Sequence, residues 1–80
     1  MNVVSCLADL LPGECAIVRG NDHRGGMRRR LLDIGLAENT VVECVGRSPS
    51  GDPAAYLIRG AVIAIRKCDG RLIRVERREK

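Results

Sequence analysis

Apolar residues recur along this chain in two rhythms. Met27, Leu31 and Ile34 stand at i, i+4 and i+7, with Leu32 beside them. That spacing lines one face of a helix. Gly35 is placed to end the helix in the left-handed conformation, and Leu36 to fold back on Leu31. Gly25-Gly26 are poor helix formers, so the helix is predicted to begin near Met27. Elsewhere short β-branched and aliphatic runs sit between turn residues. They predict strands over 14–19, 40–46, 54–58, 61–66 and 72–75. Before them, Ser5 is placed to cap one or two helical turns with Leu7, Leu10 and Leu11 on one face. Pro12-Gly13, Glu38-Asn39 and Cys68-Asp69-Gly70 read as turns, and Arg59-Gly60 as a tight hairpin connection. Residues 77–80 read as a charged, frayed tail.

The pattern predicts a mainly β protein of about five short strands with one or two short helices. The clear helix falls between the first two predicted strands. Short strands leave exposed edges unless the sheet curls towards closure, so a small, partly open β-barrel is expected. The 80 residues make one domain, with a core from about residue 7 to 76. A chain of this size buries only about 60–65% of its unfolded surface. Tyr56 is the sole aromatic residue, which makes that core aliphatic and thin. No internal repeat or low-complexity segment is present.

Composition removes several function classes. The longest wholly apolar run is Ala61-Val62-Ile63-Ala64-Ile65, far short of the roughly 20 residues of a spanning helix. The first eleven residues lack a basic start and carry Asp9, unlike a secretory signal. A cytosolic location is expected. Cys6, Cys15, Cys44 and Cys68 lie far apart, with no C-x-x-C. They fit neither a zinc clip nor, in a cytosolic chain, a disulfide framework. Cys15 and Cys44 are expected to be small buried strand residues.

No catalytic constellation appears. His23 is the only histidine and reads as a solvated loop residue. The serines have no other candidate base, and no Walker-type or H-E-x-x-H motif occurs. No local cluster of iron ligands exists either. No cofactor, metal or catalytic residue is expected. The net charge of +4 comes with twelve arginines and two lysines, so nucleic-acid binding is weighed. Arg28-Arg29-Arg30 reads first as a solvated helix face, and second as a site for phosphates or an acidic partner. A single-strand binder also needs stacking aromatics, which Tyr56 alone cannot supply. The Ser48-Pro49-Ser50-Gly51-Asp52-Pro53 loop has two readings of equal weight: a tight geometric excursion, or a contact loop on a rigid scaffold.

Five stretches, in their order and spacing, resemble the FeoA domain family. They are Leu7-Ala8-Asp9-Leu10-Leu11-Pro12-Gly13-Glu14, Arg30-Leu31-Leu32-Asp33-Ile34-Gly35-Leu36, the loop of residues 48–53, Gly60-Ala61-Val62-Ile63-Ala64-Ile65-Arg66, and Ile73-Arg74-Val75. The resemblance covers about residues 7–76. The chain departs from the family pattern at three places. Glu38-Asn39 replaces a Pro-Gly turn, Ser50 an aliphatic residue, and Ala61 an aromatic one. Asn39 tolerates the left-handed conformation that the turn needs.

The resemblance implies an SH3-like barrel without enzymatic activity. It implies a cytosolic accessory of bacterial ferrous-iron uptake that contacts the nucleotide-binding part of the FeoB transporter. Its candidate contact surface is Leu32, Leu36, Ser50 and Asp52, with Arg28 and Arg29 on the rim. The alternatives are a basic barrel that binds nucleic acid, and an interaction module of an iron-dependent repressor. Exposed strand edges also leave a homo-oligomer open.

Overall fold

In strand β2 (Cys15–Asn21) alternate side chains turn inward, Ala16 and Val18 among them. Then a bulge between Val18 and Gly20 inserts one extra residue. It reverses the inward parity, so Asn21 rather than Gly20 faces the interior. Strand β3 (Val41–Arg47) repeats the device, with Val42 and Cys44 inward and a bulge between Cys44 and Gly46. Strand β4 (Ala54–Ile58) alternates without interruption and buries Ala54, Tyr56 and Ile58.

The structure is a computed structural model that describes residues 2–78. Its further elements are β1 (Asn2–Cys6), a 3-10 turn (Leu7–Asp9), α1 (Gly25–Asp33), β5 (Ala61–Ile65), α2 (Lys67–Gly70) and β6 (Ile73–Arg78). The six strands form one antiparallel sheet in the order β1-β6-β2-β3-β4-β5. Among the described residues β1 and β5 each have one neighbour, so the curled sheet keeps two edges.

Leu7, Leu10, Val18, Leu36, Val42, Tyr56, Ile58, Ile73 and Val75 form the centre of the core. The helical stripe of Met27, Leu31 and Ile34 packs against it as expected. Arg59 and Gly60 both take positive φ, 50° and 84°, which fits the right-handed twist of the β4–β5 hairpin. Gly35, at φ 113°, closes α1 with a full Schellman motif: the Leu36 N–H bonds the Leu31 carbonyl at 3.0 Å and the Gly35 N–H bonds the Leu32 carbonyl at 3.0 Å. Asn39, at φ 73°, makes the turn where the family has Pro-Gly.

Six expectations are corrected. Among the described residues there are six strands, not five: residues 2–6 form β1 on β6, and Ser5 lies in that strand instead of capping a helix. The helical opening shrinks to the 3-10 turn. Arg77 belongs to β6 and pairs with Val3, so the strand runs into the expected tail; residues 79 and 80 lie outside the described residues. Helix α1 begins at Gly25, two residues early. Cys68-Asp69-Gly70 belongs to a helical turn, α2. Of the two cysteines expected inside, Cys44 is buried and Cys15 is exposed.

Candidate functional site

The polar group that sets α1 against the sheet is Asn21, turned inward by the bulge in β2. Its amide Nδ2 donates to the Arg28 carbonyl at 3.3 Å, and its Oδ1 accepts the His23 N–H at 2.9 Å. The Arg28 guanidinium donates back to the Asn21 carbonyl. Arg28 is thus partly committed to holding its own helix. His23 is half-buried, and its Nε2 lies 2.8 Å from the Asp69 carbonyl oxygen. It ties the approach to α1 to α2, rather than being solvated as expected.

On the outer side of α1, Gly25, Arg28, Arg29, Leu32 and Asp33 line a shallow groove of about 260 Å³. Leu32 is 38% exposed there. Leu36 is not available: its side chain is fully buried because the Schellman stop folds it into the core. This corrects its assignment to the surface.

Ser50 and Asp52 stand elsewhere. The 48–53 loop closes on itself through Gly51 N–H to the Ser48 carbonyl (2.8 Å) and Ser48 N–H to the Pro53 carbonyl (3.1 Å). The Ser50 hydroxyl donates to the Asp52 carbonyl at 3.0 Å and lies 3.2 Å from that of Ser48. The Asp52 carboxylate accepts the Lys67 N–H at 2.9 Å, satisfying a donor in the first turn of α2. The loop is therefore self-bonded, and Asp52 caps a neighbouring element. Gly51 and Asp52 line a small void with Tyr56 and Arg47, not the α1 groove. The structure brings Arg28, Arg29 and Leu32 together and leaves Ser50 and Asp52 apart from them.

Three arginines are neutralised on the sheet: Arg19 by Glu76 (3.1 Å), Arg74 by Asp22 (3.2 Å) and Arg77 by Glu14 (2.8 Å). Arg29 and Arg30 on α1, and Arg59 and Arg66 flanking β5, form no ion pair with a described residue. A second groove of about 310 Å³ runs between α1 and β5, with Arg30 and Arg66 in its lining. The sequence reading missed it, because the groove exists only once the helix is set beside the edge strand. Among the described residues, no three of His, Cys, Asp or Glu gather as ligands for a metal. None of the helices described is long and apolar enough to cross a membrane.

The FeoA domain model matches residues 6–77, almost the whole chain. This chain belongs to the FeoA family. It is 30% identical over 70 residues to the Fe(2+) transport protein A/Fe(2+) transporter FeoB fusion protein of Porphyromonas gingivalis (strain ATCC BAA-308 / W83). That match takes in 88% of this chain and 8% of the fusion protein, so the chain spans a small part of its relative. The FeoA-like protein of Clostridium acetobutylicum has the same fold, with a TM-score of 0.88 and 28% identity over 100% of this chain and 93% of that one. FeoA of Stenotrophomonas maltophilia, described as a procaryotic SH3 domain protein, matches with a TM-score of 0.78. It covers 91% of this chain and 95% of that one, and at 22% identity the likeness concerns the fold. The FeoA fold is thus SH3-like here as well, and the family is linked to ferrous-iron transport.

Proposed function

We infer that this FeoA chain is a non-enzymatic cytosolic accessory of ferrous-iron uptake that docks on the GTPase region of a FeoB-type transporter. The observation that carries this reading is the fusion relative, in which a homologous segment shares one polypeptide with the transporter. Fusion raises the effective concentration of two modules towards the millimolar range, which favours a contact too weak to persist between separate chains. The α1 groove is the surface proposed for that contact. It offers a half-exposed apolar side chain, Leu32, beside the unpaired guanidinium of Arg29. In this reading Ser50 acts on the loop's own conformation and Asp52 on the first turn of α2.

The test is titration calorimetry of the purified chain against the cytosolic region of the transporter from the same organism, with and without guanine nucleotide. Arg29→Glu is the informative variant, since Arg28 also holds Asn21. Saturable binding that drops about tenfold in Arg29→Glu at low salt, with unchanged thermal unfolding, is the expected result. Unchanged affinity removes the α1 groove from the contact. Absence of binding in every nucleotide state removes the transporter reading.

The unpaired arginines also favour a second reading, a nucleic-acid contact. Its signature is an affinity that falls steeply with salt as counterions are released. Tyr56 is 2% exposed, so no aromatic platform is available for bases. A fluorescence anisotropy titration with DNA and RNA separates the two readings: the transporter reading expects no binding at tens of micromolar.

A further inference from the structure

Strand β5 pairs with β4 and with no other described strand. Its other row of backbone N–H and C=O groups has no backbone partner among the described residues. Edge strands are usually protected by a charge, a proline or a bulge. Ala61-Val62-Ile63-Ala64-Ile65 has none of these and pairs with β4 without a break in register. Ala61, Val62 and Ala64 are exposed, Val62 by 65%. The groove of about 310 Å³ lies alongside this edge. Met27, Leu31 and Ile34 of α1 form one wall, and Ile63 and Ile65 of β5 the other. Arg30 and Arg66 stand in its lining, and Asp69 is the single carboxylate there.

An edge of this kind accepts a second copy of itself or a foreign strand, and charge decides between them. A two-fold antiparallel pair that uses all of residues 61–65 is centred on Ile63. It would set Arg59 of each copy opposite Lys67 of the other, with Arg66 one residue away. Like charges directly opposite each other are destabilising, and each chain already carries a net charge of +4. We propose that the β5 edge takes up an extended segment of a partner protein by antiparallel strand addition, and that this segment is apolar at alternate positions and acidic at both ends. Residues directly opposite in an antiparallel pair share a face. The partner side chains opposite Ile65, Ile63 and Ala61 therefore enter the groove over Met27 and Ile34, while its terminal carboxylates meet Lys67 and Arg59. Backbone bonds supply affinity, and alternate pockets with charged ends supply selectivity. The proposal does not depend on which protein supplies the strand, nor on the α1 surface inferred above.

The probe is the blocked peptide Glu-Thr-Val-Thr-Val-Thr-Val-Thr-Glu, titrated into the isotope-labelled chain and followed by amide NMR shifts. Saturable shifts confined to residues 59–67 and 27–34 are expected. Exchanging both terminal Glu for Lys should weaken binding by about threefold to fivefold per end at low salt. Of two peptides N-methylated at odd or at even positions, one should lose binding, since only one set of amides faces β5. Lys67→Glu should weaken the Glu-ended peptide and strengthen the Lys-ended one, a reversal that general loss of structure cannot produce. No shifts at millimolar peptide, or shifts on other elements, would overturn the proposal. So would a dimer in sedimentation equilibrium that blocks the β5 shifts and is not displaced by the peptide.

Discussion

Tyr56 brings the chain's one aromatic ring into the middle of the core, where its hydroxyl donates to the Leu7 carbonyl at 3.2 Å. Burial disfavours the phenolate and pushes its pKa from 10.0 up to about 12, with the neighbouring Cys44 adding to the rise. The folded state thus holds the phenolic proton more tightly than the unfolded chain. Stability from Tyr56 is full below pH 10 and is lost as the pH rises towards 12. With one tyrosine and no tryptophan, absorbance at the tyrosinate band reads this directly. The midpoint should lie near 12 in the folded protein and near 10 in urea. Gly35 makes a sharper demand. A Cβ there would come within 2.9 Å of the Ile58 Cγ2, at a φ that only glycine adopts freely. Gly35→Ala should lower stability by about 1–3 kcal/mol in a urea titration. The cysteines show where residue type misleads: Cys15 and Cys44 sit in similar strand sequences, yet only Cys44 falls on the inward register.

Elements are joined here by side chains reaching to backbone. Arg47 at the end of β3 donates to the Leu10 carbonyl at 2.6 Å and to the Ala8 carbonyl at 3.3 Å, clamping the 3-10 turn to the sheet. Arg47→Met keeps the aliphatic stem and removes both bonds. It should lower stability by about 2–3 kcal/mol in chemical denaturation, because charged donors to otherwise orphaned carbonyls carry more than neutral ones. Helix α1 was legible because its apolar stripe and its Gly35 stop are local signals. Strand β1 was not. Residues 2–6 have no alternation strong enough to mark a strand, and their partner, β6, is some seventy residues away. Asn21 and Arg47 were equally hidden. One depends on a bulge and the other on a contact across 37 positions.

At the scale of the whole molecule, β6 and β2 lie inside the sheet while β5 forms an edge. Local opening follows that order, since edge amides need no global unfolding to meet solvent. Native-state hydrogen exchange should give the slowest amides in β2, β3 and β6, and amides near the intrinsic rate on the outer row of β5. Equal protection across all strands would mean that the β5 edge is covered in solution. Charge is likewise a property of the assembled surface. Twelve arginines in sequence look like one basic protein, but folding pairs Arg19, Arg74 and Arg77 with carboxylates and leaves those of α1 and those flanking β5 without an ion pair to a described residue.

The sequence by itself determined what depends on short range. Helix α1 and its stop, the Arg59-Gly60 turn, the aliphatic core and the family all rest on spacings of a few residues or on ordered local motifs. The tertiary structure alone decided the sixth strand, the burial of Leu36, the separation of the 48–53 loop from α1, and the groove beside β5. Each depends on which distant segments meet and on bulges that reverse inward and outward faces, and a one-dimensional pattern carries no signal for either.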